Sequence, residues 1–256
     1  VKNEIKNLGN QTGYIDKESL PTLGTVSRNE NGYPIGYFFG YKAIGVFQTQ
    51  EEIDSYISPA TGKPIQPNAA PGDTKFEDLN GDGVISDDNE DRTMIGKPNP
   101  DWMVGLTVAA DWNGFDLSAF FQGSFGADVF DALRRYELAA VNYTSDALER
   151  WTGPGTSNSM PRIVLGDTPK NFRPSTLLVH DASFLRLRNL QVGYTLPAQL
   201  TRKAYIQRLR FYASFDNLLT ITGYKGMDPE IGSTMGIDKG VYPQARVYTF
   251  GLNLTF

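Results

Sequence analysis

The residues best suited to chemistry are the oxygen donors of Asp78-Leu79-Asn80-Gly81-Asp82-Gly83-Val84-Ile85. Asp78, Asn80 and Asp82 occupy positions 1, 3 and 5 of a calcium-type loop, Gly83 at 6 permits the sharp turn, and the carbonyl of Val84 falls at 7. Position 12 is Asn89 instead of the usual bidentate Glu. Asp91, just beyond, becomes the closing carboxylate if the loop carries an insertion. This spacing predicts a hard cation held by Asp78, Asn80, Asp82, Val84, Asn89 and Asp91, Ca2+ ahead of Mg2+. The expected role is structural, because a fully ligated ion pinning a long loop leaves no coordination position open for a reactant. The alternative is a solvated turn rich in Asp and Asn.

Other chemistries find little support. There is no cysteine, which removes disulfides, thiolate metal sites and Cys nucleophiles, and a single histidine rules out multi-histidine metal catalysis. That residue, His180, lies beside Asp181, which in a strand points to the opposite face and cannot orient it. The 29 acidic residues offer many carboxylate pairs for glycoside hydrolysis, but no spacing selects one. Arg186 and Arg188 share the parity of Leu190 and are expected at a strand end, snorkelling near a membrane surface or solvated.

The elements that must position these residues are strands. The 256 residues carry 24 basic and 29 acidic side chains, for a net charge of -5, which argues against a nucleic-acid partner held through phosphates. No apolar run approaches the ~18 residues of a membrane helix. The chain is instead rich in aromatics and glycine, with 15 Phe, 13 Tyr, 3 Trp and 26 Gly, which suits strands apolar on one face. From Tyr248 to Phe256, large apolar residues alternate with Thr249, Gly251, Asn253 and Thr255. The same period of two runs from Trp102 to Trp112 and, after Asn113-Gly114, from Phe115 to Phe121. Asn-Gly is the strongest short hairpin signal, so these two segments are expected to pair. Further strands are expected near 184–196 and 207–217, and another within Tyr33 to Phe47. No segment shows a helical period of useful length; the best candidate, Phe130 to Leu138, sits inside a long connection. The fold class is all-β and antiparallel.

The connections differ greatly in length. Residues 113–114 and about 197–206 are short, whereas about 48–101, 125–182 and 219–243 are long and rich in Pro, Gly, Asn and Asp. Alternating short and long links, strands near the ~9–11 residues that cross a bilayer, small polar inner faces and aromatic strand ends suit a transmembrane β-barrel with long extracellular loops. A secreted, calcium-stabilised β-sandwich binding glycans reads the same alternation with its apolar face turned inward. An extracellular hydrolase is a third, weaker reading.

Several segments together resemble a family. They are Gly32-Tyr33-Pro34-Ile35-Gly36 with Phe39-Gly40-Tyr41, Gly72-Asp73 leading into the acidic loop, and Asp91-Arg92-Thr93-Met94-Ile95-Gly96-Lys97-Pro98-Asn99-Pro100. Phe121-Gln122-Gly123, Phe184-Leu185-Arg186-Leu187-Arg188-Asn189-Leu190, Gly193 to Pro197, Asn217 to Thr220, Asp228-Pro229-Glu230 and Tyr242 to Phe256 follow in order. The whole resembles the C-terminal part of SusC/RagA-type TonB-dependent outer-membrane transporters. The resemblance implies that residues 1–256 are the C-terminal segment of a plugged barrel of ~22 strands, with plug and N-terminal strands absent. Val1-Lys2-Asn3-Glu4, which has neither an initiator Met nor a signal segment, is read as an internal start. It further implies active import of a bulky nutrient, an oligosaccharide or peptide, across a Bacteroidetes-type outer membrane. A SusD-like surface lipoprotein would be the lid, TonB would supply energy through the missing part, and lipid would surround the strands. By the same resemblance the chain is no enzyme. The C-terminal strand is expected to face lipid with Tyr248, Phe250, Leu252, Leu254 and Phe256, and to pair on one edge with residues outside these 256.

Overall fold

All the period-two segments enter one sheet. In a computed structural model that describes residues 3–138, 142–230 and 235–256, strands β1 (Trp102–Trp112), β2 (Phe115–Phe125), β3 (Phe184–Thr195), β4 (Arg208–Thr222) and β5 (Val247–Thr255) form an antiparallel meander. Each pairs with its neighbour in sequence. The β1–β2 turn puts Asn113 at φ 48° and Gly114 at φ 87°, the left-handed pair that a two-residue hairpin matching strand twist requires. Lengths of 11, 11, 12, 15 and 9 residues reach or exceed the ~9–11 of a bilayer crossing in all five strands.

Register carries the alternation across the strands. Leu117 lies opposite Ala110 and Val192, Phe215 opposite Leu190 and Tyr248, and Phe211 opposite Tyr194 and Leu252. One face is therefore continuously apolar, and nothing covers it: Phe250 is 76% exposed and Trp112 77%. The opposite face carries Thr107, Ser118, Gln191, Ser214, Thr249 and Asn253. A sandwich would bury the apolar face against a second sheet, and among the described residues no sheet does so. Both edges of the sheet, β1 and β5, are unpaired among the described residues.

One part of the expected parity is corrected. The register jumps between Leu187 and Asn189, making Arg188 the extra residue of a bulge. The phase of β3 changes there, so Arg186 lies on the polar face, away from Leu190, and is 2% exposed.

The long connections all leave the end of the sheet away from the 113–114 turn, and they fold together instead of looping freely. The segment before β1 supplies a four-stranded sheet of Tyr14–Asp16, Ser27–Glu30, Tyr37–Tyr41 and Arg92–Gly96, and the pair Ala43–Val46 with Thr74–Phe76. The β2–β3 connection contributes Asp128–Asp131 and Val179–Asp181, and the β4–β5 connection adds Ile237–Asp238 beside them. Leu20, Val26, Phe38, Phe130, Ala132, Leu178 and Ile237, drawn from all three connections, form one buried core. The expected strand within Tyr33 to Phe47 is thus two strands of this cap, outside the long sheet. Phe130, at the start of the best helical candidate in the sequence, belongs instead to the Asp128–Asp131 strand. The six-residue helix lies at Gln50–Ser55, where the Thr49 side chain accepts from the Glu52 N–H and Ile53 is buried; so short a helix shows no period. Among the described residues no helix is long and apolar enough to cross a membrane.

Candidate functional site

The polar face of the sheet is built by small residues that let long side chains lie across it. Gly193 on β3 separates Asp116 on β2 from Arg210 on β4, and a Cβ there would stand 2.4 Å from both Arg210 Nη2 and Asp116 Oδ2. Over this gap Arg210 Nε donates to Asp116 Oδ2 at 2.8 Å, with a second bond from Nη2 to Oδ1. Gly251 likewise gives room to the Tyr212 ring, and Asn189 Nδ2 donates to Asp216 Oδ1 at 2.7 Å. At the short-turn end Asp111, Asp116, Arg208, Arg210, Asn253 and Thr255 line a cavity of about 640 Å³. Such a surface can hold water and hydrogen-bonding solutes.

At the other end the bulge gathers a charged cluster that joins sheet to cap. Arg186 donates to Thr220 Oγ1 at 2.9 Å, to Glu230 Oε2 at 3.0 Å and to Asp228 Oδ1 at 2.5 Å. Arg188 reaches Gln122 Oε1 at 2.7 Å and both oxygens of Glu230. Asp228 is fixed by the backbone N–H groups of Glu230 and Gln244, each at 2.9 Å. Burial works against its charge, but those N–H groups and Arg186 hold its pKa below the ordinary value. Asn217, at φ 53°, donates to the Ala245 carbonyl and completes the attachment of the 223–246 connection. The Phe184–Leu190 and Asp228–Glu230 segments therefore meet. Sequence reading missed the bulge that gathers this cluster, although its signal is present: apolar residues run at odd positions through Leu185 and Leu187, then at even positions from Leu190.

The acidic loop lies on the cap. Asp78 accepts from the Gly81 and Gly83 N–H groups at 2.8 and 2.9 Å, and Asp82 Oδ1 from Val84 at 2.8 Å. Asn80 Nδ2 donates to Asp82 Oδ2 and Glu90 Oε2. Asp91, fully buried, accepts from the Leu79 and Ser86 N–H groups. Asn89 turns instead to Arg92, and the Val84 side chain is exposed. The loop brings Asn80, Asp82 and Glu90 together, while Asp78 is engaged by the Gly81 and Gly83 backbone and Asp91 by that of Leu79 and Ser86. Among the described residues no three His, Cys, Asp or Glu side chains form a group that could hold a metal ion.

His180 pairs across to Val129, its Nε2 3.8 Å from Asp131 Oδ2 and without a hydrogen bond among the described residues. Burial first, then Arg134, lowers its pKa, so it is neutral near pH 7. Asp181 turns away and accepts from the Ser183 N–H.

No protein-family model matches the sequence. The chain is 34% identical over 236 residues to TonB-dependent receptor P3 of Formosa agariphila, covering 88% of this chain and 22% of that protein. It is 30% identical over 257 residues to TonB-dependent receptor SusC of Bacteroides thetaiotaomicron, covering 99% and 23%. Among solved structures, the RagAB peptide importer in its open-open state superposes with a TM-score of 0.70 at 27% identity, over 99% of this chain and 25% of that one. The closed-closed state gives 0.69. The chain spans about a quarter of the length of these proteins. Receptors and an importer, not enzymes, are the relatives, and the hydrolase reading falls with them. Likeness in sequence along nearly the whole chain and in the strand framework described above makes this chain a SusC/RagA-like segment of the TonB-dependent receptor family.

Proposed function

We propose that the chain is the C-terminal part of an outer-membrane active importer for a bulky nutrient, an oligosaccharide or peptide. The observation that carries this reading is the inside-out sheet: long strands, apolar outside, polar inside, open at both edges, with every long connection at one end. An uncovered apolar face needs lipid, and an open edge in lipid needs a further strand, because unpaired backbone groups cost several kcal/mol each there. The missing strands and plug come from the rest of the protein. The polar face then lines a wide lumen, and the folded cap stands on the extracellular side, where a SusD-like lipoprotein would close over it. Energy would come from TonB, as the relatives' names indicate. In the native cell, the full protein should fractionate with the outer membrane and require detergent. Deleting it should abolish uptake of ligands too large for porins while leaving small nutrients unaffected; recovery in the soluble secreted fraction would overturn the reading.

We infer separately that the 78–91 loop takes Ca2+, in preference to Mg2+, as a structural ion. The oxygen spacing and the left-handed Gly81 and Gly83 support it. Binding requires the Asn80 amide, whose nitrogen now faces two carboxylates, to present its oxygen instead. Calorimetric titration should give calcium binding that Asp82→Ala removes; no heat in the wild type would refute it.

A further inference from the structure

The two short connections of the long sheet differ in kind. β1 and β2 join through two residues, whereas β3 and β4 join through 197–207, folded into the helical turns Ala198–Thr201 and Arg202–Ala204. β3 and β4 pair directly, so a tight turn would be enough to link them. The longer link closes on itself instead: the Ile206 N–H donates to the Thr201 carbonyl at 3.2 Å, the Tyr205 N–H to that of Arg202 at 3.1 Å, and Thr201 is buried.

What it turns outward is apolar and basic. Leu200 is 60% exposed and Tyr205 90%. Tyr205 ends the helical turns at φ 59°, a left-handed conformation that Gly adopts freely and a bulky residue adopts at a cost. So exposed a ring gains little from this chain to offset that cost. Arg202 and Lys203, also exposed, have no ion pair or side-chain hydrogen bond among the described residues. From residue 189 to 215 there is no Asp or Glu, and of the bases Arg202, Lys203, Arg208 and Arg210 only the last is taken, by Asp116. At the other end of the apolar face, next to Trp102, Lys97 is paired with Asp101.

Around this link the apolar face ends in rings. Phe115 and Tyr194 pack with centroids 4.5 Å apart, and Phe256 is 73% exposed. Such rings belong at a bilayer–water boundary, where basic side chains rest their stems on apolar surface and reach phosphate with their heads.

We propose that the 197–207 connection is an anchor for anionic phospholipid, with Arg202 and Lys203 holding headgroup phosphate in the leaflet at the short-turn end and Leu200 and Tyr205 seated at the boundary beside it. Unpaired positive charge continuous with an uncovered apolar face selects a lipid surface over a protein partner. The inference rests on the proposed lipid placement of the sheet and adds to it a headgroup preference at one end.

The test uses the full-length protein in nanodiscs of mixed phosphatidylcholine and phosphatidylglycerol, with the photocrosslinker p-benzoylphenylalanine at position 205 or, separately, at position 250 in the middle of the apolar face. Mass spectrometry identifies the adducts. Position 205 should capture phospholipid, with phosphatidylglycerol enriched about fivefold or more over its share of the bilayer. Arg202→Gln together with Lys203→Gln should return that enrichment to the bilayer share, while lipid capture at 250 persists and shows that the sheet is still inserted. Inorganic phosphate in place of chloride at equal ionic strength should leave the enrichment in place; its loss would show a site for free phosphate instead. Peptide adducts at 205, lipid adducts without preference for phosphatidylglycerol, or a preference unchanged in the double variant would each overturn the assignment. Lipid at 250 with none at 205 would overturn this inference alone, and none at either position would overturn the lipid placement with it.

Discussion

The long sheet and the cap place the same residue types in opposite surroundings. Phe250 on β5 is 76% exposed, whereas Phe38 and Phe130 in the cap are fully buried. In the cap, short strands from three connections close around an apolar core, as any water-soluble domain does. In the sheet the apolar residues form an outer face with nothing over it, and the polar residues are bridged across the strands by Arg210, Asp116 and Asn189. Period two shows that a strand has two faces; which face meets water follows from what covers it. The chain therefore joins a part with a buried apolar core to a sheet whose apolar face is open, and Arg186 with Asp228 and Glu230 is the seam between them.

The largest effect is expected at that seam. Arg186→Met leaves Asp228 buried without its cation, and breaking such a pair from one side costs ~3–5 kcal/mol. Hydrogen exchange should show the 223–230 and 235–246 segments released while β1 and β2 stay protected; uniform exchange would mean that the two regions are not separable.

The two faces of the sheet can be set against each other directly. Leu106→Arg should impair assembly into lipid by ~2–4 kcal/mol near the midplane, whereas Thr107→Arg, one residue along, should be accommodated. Refolding yield into vesicles measures both, and equal penalties would favour a soluble sheet.

A smaller effect is confined to the cap. Asp82→Ala should abolish calcium binding and loosen residues 72–95 by hydrogen exchange, with the sheet untouched. An unchanged loop in calcium buffer would show that the Asp and Asn turns suffice.

The smallest effect depends on pH. Burial, ahead of every other influence, raises the Asp167 pKa from 3.8 to about 6. The folded cap holds that proton more tightly than the unfolded chain. The stability this confers is present below about pH 4 and is lost as pH rises through 6. Wild type should therefore lose cap stability relative to Asp167→Asn between pH 4 and 6, with the difference level above about pH 7. A gap that does not change with pH would show that folding does not raise the proton affinity of this carboxyl.

How much of this was legible in the sequence follows the range of the interactions. β1, β2 and β5 could be read because alternation and an Asn-Gly turn are local signals. The cap could not, because Phe130 sits beside Ile237 and Asp128–Asp131 pairs with segments far along the chain, and strands of two to five residues carry no period. The seam was half legible: the apolar phase slips at Arg188, but nothing near it names Asp228 as the partner. In the acidic loop the spacing was readable, while the choice between backbone N–H groups and an ion as partners of those oxygens was not.

The most direct test is of the proposal that the apolar face of the sheet meets lipid. These 256 residues contain no cysteine, so single cysteines from Val247 to Thr255, in a full-length background freed of other cysteines, can each carry a nitroxide in a bilayer. Collisions with oxygen should peak at 248, 250, 252 and 254, and collisions with a water-soluble nickel chelate at 249, 251 and 253. Nickel access at every position, or access to neither reagent at 248–254, would contradict a strand that has lipid on one side and a wet lumen on the other.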